Sequence, residues 1–167
     1  MNKYELTDET KVFYGVTLHR IRALTAVGVL AAAGQLGGWV ESEKNLEQSG
    51  DAWVYGNAQV SGNARVSGDA RVSGDARVYG NAQVSGDAWV YGDAWVYGNA
   101  QVSGDAWVSK TRHYLTVGPI GSEDRTVTIC RTKTYGTTGH YVQAGCWAGT
   151  VDQLAERVAS AWPDLSE

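Results

Sequence analysis

Glycine recurs every six residues from Gly50 to Gly104, and a chain punctuated in this way has few ways to fold. Alanine stands two residues after each glycine, from Ala52 to Ala106. Valine stands two further on, at 54, 60, 66, 72, 78, 84, 90, 96, 102 and 108. The unit Gly-(Asp/Asn)-Ala-(Trp/Gln/Arg)-Val-(Tyr/Ser) runs ten times over residues 50–109. Residues two apart in an extended chain share a face, so Ala and Val point inward and the variable positions outward. Gly-Asp and Gly-Asn tolerate positive φ and turn the chain. One short strand and one corner per six residues predict a parallel β-helix with three sides to each 18-residue coil. Ten repeats give a rod of about three and a third coils, ~16 Å tall at ~4.8 Å per coil.

The unbroken repeat resembles the hexapeptide-repeat, left-handed β-helix superfamily. That resemblance implies the left hand, against the usual right-handed rule for parallel crossovers. It also implies a trimer, and its members are often acyltransferases. A second resemblance covers roughly residues 1–110. Arg20-Ile21-Arg22-Ala23-Leu24, then Gly37-Gly38-Trp39-Val40-Glu41-Ser42-Glu43-Lys44-Asn45-Leu46 running into Gly50-Asp51-Ala52, is similar to uncharacterised phage and bacterial proteins. Those proteins are called polymer-forming or putative transferases on their repeats alone.

The flanks predict two further units. Val40 and Leu46 keep the six-residue spacing, but Val54 lies eight beyond Leu46, which predicts an imperfect first coil with two inserted residues. Strand character in Lys3–Thr7 and Val12–Leu24 predicts a small β-rich cap over residues 1–36, needed because an open rod end exposes strand edges and core. The rod then spans 37–110. Residues 111–167 predict a small α+β module, with strands Tyr114–Val117, Arg125–Thr132 and His140–Ala144. Turns are expected at Gly118-Pro119 and at 136–139. Thr150 with Gln153 forms a capping box, opening a helix on Val151, Leu154, Val158 and Ala161 that Pro163 stops after Trp162. The segment from Thr116 to Ser122, with Gly145-Cys146-Trp147-Ala148-Gly149-Thr150, resembles a module of uncharacterised phage proteins.

Composition narrows the function. A formal charge of −4 argues against general affinity for nucleic acid or anionic membrane. The longest apolar stretch, Ala26 to Ala33, is far below the ~20 residues that span a bilayer. With two cysteines and a polar start, a cytoplasmic protein is expected, in the host cytoplasm if phage-encoded. The repeat holds no histidine; His19, His113 and His140 all lie outside it. A hydratase-type zinc site needs three histidines between coils, and Cys130, His140, Cys146 and His113 match no metal spacing. No phosphate loop occurs, since the glycines mark corners. No catalytic residue, metal or cofactor is therefore expected.

Residues 18 apart stack on one side of the rod. The first side carries Trp53, Arg71, Trp89 and Trp107, with Tyr55, Ser73, Tyr91 and Ser109 beside them. The second carries Gln59, Arg77 and Trp95, with Ser61, Tyr79 and Tyr97. The third, with Arg65, Gln83 and Gln101, is polar. Two aromatic sides with one arginine each predict a homotrimer interface or an inter-subunit cleft for a planar anion. In the first role Arg71 sits between Trp53 and Trp89; in the second Arg71 or Arg77 holds the charge. The expected function is a non-enzymatic, phage-type binding rod, a host-takeover or counter-defence factor that sequesters a nucleotide-like signal or blocks a host protein. The alternatives are an acyltransferase with His113 or His140 as base, and a scaffold or virion-associated piece.

Overall fold

In a computed structural model of the chain, residues 2–120, 124–132 and 139–161 are described. Strands β1 (Tyr4–Phe13), β2 (Val16–Ala23) and β3 (Leu36–Val40) open the chain. Ten two-residue strands follow, β4 to β13: Trp53–Val54, Gln59–Val60, Arg65–Val66, Arg71–Val72, Arg77–Val78, Gln83–Val84, Trp89–Val90, Trp95–Val96, Gln101–Val102 and Trp107–Val108. Each valine of the repeat thus ends a strand, and each Gly-Asp or Gly-Asn a turn. The strands stack as a parallel β-solenoid of about four coils, each pairing with the strand 18 residues on, as Trp53 with Arg71 and Val54 with Val72. The inward alanines and valines are all at most 1% exposed and form one core. The corner glycines hold φ near +65°, and a Cβ on Gly74 would come within 3.0 Å of the Gly92 amide nitrogen on the next coil. A larger residue there is strained and crowded at once.

The first coil is imperfect as its spacing foretold. Val40 pairs with Val60 and Leu46 with Val66, each 20 residues apart where the regular coils keep 18. The extra two residues lie between Leu46 and Val54, and Leu46 stays fully buried.

The N-terminal strands differ from expectation. β1 continues through the gap left between the two expected strands, and Tyr14 and Gly15, both at positive φ, make the tight turn to β2. β2 pairs antiparallel with β3, and β3 pairs parallel with β5, so one sheet runs β1-β2-β3-β5-β8-β11. The hairpin is therefore continuous with the rod's second side.

Each end of the rod leaves half its backbone groups without a coil to meet, and the flanks supply the missing partners. Coil amides donate to carbonyls of the next coil, as Trp53 N to Ala70 O at 3.0 Å. The first coil's carbonyls consequently need donors. The Lys3 ammonium donates to Ser49 O, Gly50 O and Ala52 O at 3.3, 3.2 and 2.9 Å. Trp39 N donates to Ala58 O, and Asn45 Nδ2 to Gly62 O and Ala64 O. The last coil's amides need acceptors and find hydroxyls: Trp95 N meets Thr111 Oγ1, Tyr97 N meets Tyr114 Oη and Gln101 N meets Thr128 Oγ1, at 3.1, 3.3 and 3.0 Å.

The upper hydroxyls come from an antiparallel sheet, β14 (Tyr114–Ile120), β15 (Arg125–Arg131), β16 (His140–Ala144) and β17 (Trp147–Thr150), followed by helix α1 (Val151–Ala161). Thr128 and Cys130 of β15 are buried, and Cys130 joins the solenoid core. Gly118-Pro119 is not a turn: it lies within β14, at an irregularity in the pairing with β15. β17, which the sequence reading did not expect, leads directly into the helix. The Thr150–Gln153 capping box is formed, Gln153 N donating to Thr150 Oγ1 and Thr150 N to Gln153 Oε1. The expected turn at 136–138 and the stop at Trp162 and Pro163 lie outside the described residues. No helix among those described is long and apolar enough to cross a membrane.

Candidate functional site

The second side of the solenoid carries the most developed surface. Strand register stacks Trp39, Gln59, Arg77 and Trp95 in one outward column. The hairpin curls over that column. Phe13 lies with its ring 4.2 Å from the Arg77 guanidinium, and Trp95 lies 4.6 Å from the same group. Arg77 thus makes cation–π contacts with two rings, each worth ~0.5–2 kcal/mol according to its hydration. Lower down, Lys11 and Arg20 stand over the Trp39 ring at 4.3 and 5.0 Å. Higher up, Tyr79 and Tyr97 stack at 5.4 Å, and Tyr79 meets Trp95 edge-on at 6.4 Å.

Between the hairpin tip and the sheet runs a crevice of about 240 Å³, bounded by Phe13, Tyr14, Val16, Arg77, Tyr79 and Trp95. Burial, then Arg20 and Arg77, depress the proton affinity of Lys11, with Asp75 opposing; Arg20 is itself paired with Glu9 at 3.7 Å. Burial also raises the Tyr79 hydroxyl, with Tyr97 adding and Arg77 opposing. Arg77 Nε and Gln59 Oε1 are buried with no hydrogen-bond partner, each costing ~1–3 kcal/mol until satisfied.

The first side departs from expectation. Trp53 is fully buried, edge-on to Tyr4 at 6.3 Å, because the N-terminal segment covers the lower coil. It is neither interface nor ligand surface, and Tyr55 is half-buried against the same core. Arg71 has no ring partner among the described residues; the arginine that meets two rings is Arg77. Above it, Trp89 and Trp107 stack at 5.8 Å and 8°, Tyr91 leans on both, and Trp89 Nε1 donates to Ser73 Oγ. The third side is polar as expected, with Asn63, Asn81 and Asn99 laddered along its corner.

His113 Nδ1 accepts from Ser109 N–H at 3.4 Å and lies 3.2 Å from Ser109 Oγ. Burial, with Arg131, Arg112 and Lys110, lowers its proton affinity, so the ring is neutral near pH 7. His140 is exposed on β16 and stands apart, paired in register with Arg131. Cys130 and Cys146 are free thiols, and the described residues hold no His, Cys, Asp and Glu group able to bind a metal.

Sequence reasoning paired Arg77 with Trp95 but missed Phe13, Tyr14 and Lys11. The signal was present: Phe13-Tyr14-Gly15 places two aromatic rings at a hairpin turn, where solvent exposure is otherwise expected.

A repeat family described as YdcK Beta solenoid repeat matches residues 58–74, 70–86 and 82–98, all within the solenoid. No curated protein matches the chain. The chain is a β-solenoid repeat protein.

Proposed function

We propose that this chain is a non-enzymatic binding protein that takes a small planar anion in the crevice beneath the β1–β2 tip. The observation that carries this reading is the Arg77 guanidinium, lying against Phe13 and Trp95 with its Nε unpartnered and a further cation, Lys11, along the same column. Contact with two rings removes side-chain entropy that a free arginine loses on binding. Aromatic walls suit a flat ring, and the cations suit a phosphate or carboxylate. A nucleotide-like signal meets both demands. With the phage resemblance, sequestration of such a signal in a host cytoplasm is the concrete version.

Within this reading the solenoid is of the hexapeptide type, left-handed, with three six-residue repeats per coil. It assembles as a homotrimer through the half-buried Trp89, Tyr91 and Trp107 ladder of the first side.

Calorimetric titration against mononucleotides and cyclic dinucleotides tests the reading. The unmutated protein should bind a member of the panel, and Arg77→Ala should weaken it by ~1.5–3 kcal/mol, the scale of a charge-assisted hydrogen bond. Arg71→Ala should bind normally. Absence of binding to every member removes the nucleotide reading.

A further inference from the structure

We propose a second, separate site at the upper end of the solenoid, where the open corner Gly98–Asn99 and strand β14 bound a cavity that takes the carboxylate of a small apolar acid. The corners of the last coil are not closed alike. A Cβ on Gly92 would meet Ser109 O at 2.8 Å, and one on Gly104 would meet the Tyr141 ring at 3.1 Å, but one on Gly98 meets nothing within 4 Å. Beside Gly98 and Asn99 lies a cavity of about 320 Å³, bounded on the β14 side by Thr111, Tyr114 and Thr116.

The rod's polarity decides what faces this cavity. Coil amides donate upward and carbonyls accept from below, as Asn81 N donates to Gly98 O at 2.9 Å. The Gly98 carbonyl is thus committed downward, while the Asn99 amide has no coil above it and no partner among the described residues. The asparagine ladder runs the same way: Asn63 Nδ2 donates to Asn81 Oδ1 and Asn81 Nδ2 to Asn99 Oδ1, at 3.1 and 3.0 Å. Its top member therefore keeps an unused Nδ2 donor. Hydroxyls add to the set. Thr111 and Tyr114 accept Trp95 N–H and Tyr97 N–H at their oxygens, which leaves their own protons to donate. Tyr114 keeps its proton, since burial pushes that hydroxyl up to about 12. Thr116 Oγ1 is buried with no partner, although the register sets Thr116 beside Thr128, whose hydroxyl meets the Gln101 amide.

This donor set defines the ligand. No Lys, Arg or His lines the cavity, so it suits a single negative charge spread over two oxygens, and a phosphate would lack its cations. The same contact already exists at another corner of the rod: Asn57 Nδ2 donates to the carboxylate oxygen Asp75 Oδ1 of the next coil, at 3.2 Å. A ligand carboxylate over Asn99 takes the place of that next-coil side chain. The Tyr97 and Tyr114 rings, edge-on at 6.4 Å, and the exposed Leu115 border the same cavity and offer apolar surface to the body of the acid.

The test is titration of the intact protein with sodium benzoate, phenylacetate and isovalerate, each beside its neutral amide, read by calorimetry and by the Asn99 backbone and side-chain amide resonances. At least one acid should bind and move the Asn99 signals, and its amide should bind about tenfold more weakly or not at all. Thr116→Val keeps the shape and removes the hydroxyl. It should weaken binding about tenfold without lowering the melting temperature, since that hydroxyl has no partner in the fold. Asn99→Asp still accepts from Asn81 but turns a negative charge toward the ligand, and should abolish binding. Arg77→Ala, at the crevice on the second side, should change nothing, so failure of the crevice reading leaves this site standing. Unmoved Asn99 resonances with every acid, equal affinity for acid and amide, or undiminished binding in either folded variant overturns the site.

Discussion

The Lys3 ammonium lies 2.9 Å from the Ala52 carbonyl oxygen, where a further coil below would have placed a backbone N–H. On the regular coils the equivalent carbonyl, Ala70 O, accepts from Trp53 N. One side chain replaces the edge of a missing coil, reaching Gly50 and Ser49 as well. Burial lowers the Lys3 proton affinity while Glu47 and Asp51 support the charge. We predict that Lys3→Met, which fills the space without donating, costs ~1–3 kcal/mol for the orphaned carbonyls. A urea unfolding curve with an unchanged slope measures it. A stability equal to the unmutated protein would show that water serves these carbonyls as well.

The opposite end makes the complementary demand. Thr128 Oγ1 accepts Gln101 N–H at 3.0 Å and is almost wholly buried. Thr128→Val keeps the shape and removes the acceptor, so it should destabilise by ~1–3 kcal/mol. Amide exchange at Gln101 should accelerate beyond the global change, and exchange that only follows global stability argues against this role.

The sequence announced the rod because its period is uniform: each Val and Ala lies in the core and each repeated Gly at a corner. The end closures were not legible, since they depend on which polar atom meets which carbonyl across 49 residues, as Lys3 meets Ala52. The 20-residue offset of the first coil was readable from Leu46 and Val54, and so was the Thr150–Gln153 box. The covering of Trp53 and the ring contacts of Arg77 were not. Both arise from where the hairpin curls, and the repeat says nothing about that. Gly118-Pro119 misled for a related reason: read locally it signals a turn, but pairing with β15 carries the strand through it.

The two thiols should behave oppositely. Cys130 is 1% exposed, and burial pushes its thiol up to about 12, whereas Cys146 is exposed. The thiolate is the reactive form. A thiol reagent at mildly alkaline pH should therefore modify one cysteine in the native protein and the second only in denaturant. Rapid modification of both in the native state would mean that β15 does not close the upper end of the core.

His113 should make the fold acid-sensitive. Its proton affinity is lowered in the folded chain, so the unfolded chain binds the proton more tightly. Its contribution is complete above the ordinary histidine value of ~6.5 and is lost as the pH falls from there toward the depressed folded value. Urea midpoints at about pH 7.5 and about pH 5 should diverge more for the unmutated protein than for His113→Gln. The same substitution should leave ligand binding in the crevice intact, because His113 has no part in it. An equal pH response in both proteins would remove the histidine as the cause.

The stacked pair Trp89 and Trp107 sets the last expectation, the homotrimer. The N-terminal segment covers Trp39 and Trp53, leaving both at most 6% exposed, and the hairpin tip lies against Arg77, whereas Trp89, Tyr91 and Trp107 are half-buried. A three-fold ring needs a heterologous contact, one patch of each protomer against a different patch of the next. The ladder is one patch, and the third side, with exposed Arg65 facing solvent, offers cation–π partners as the other. Sedimentation should give about three times the 17.9 kDa chain mass. Trp89→Arg with Trp107→Arg should yield monomers of unchanged fold, because these rings lie outside the Ala and Val core. Trp95→Arg should leave assembly intact and impair the crevice. An unmutated protein that sediments as a monomer removes the trimer, and a double variant that still trimerises moves the contact to another face.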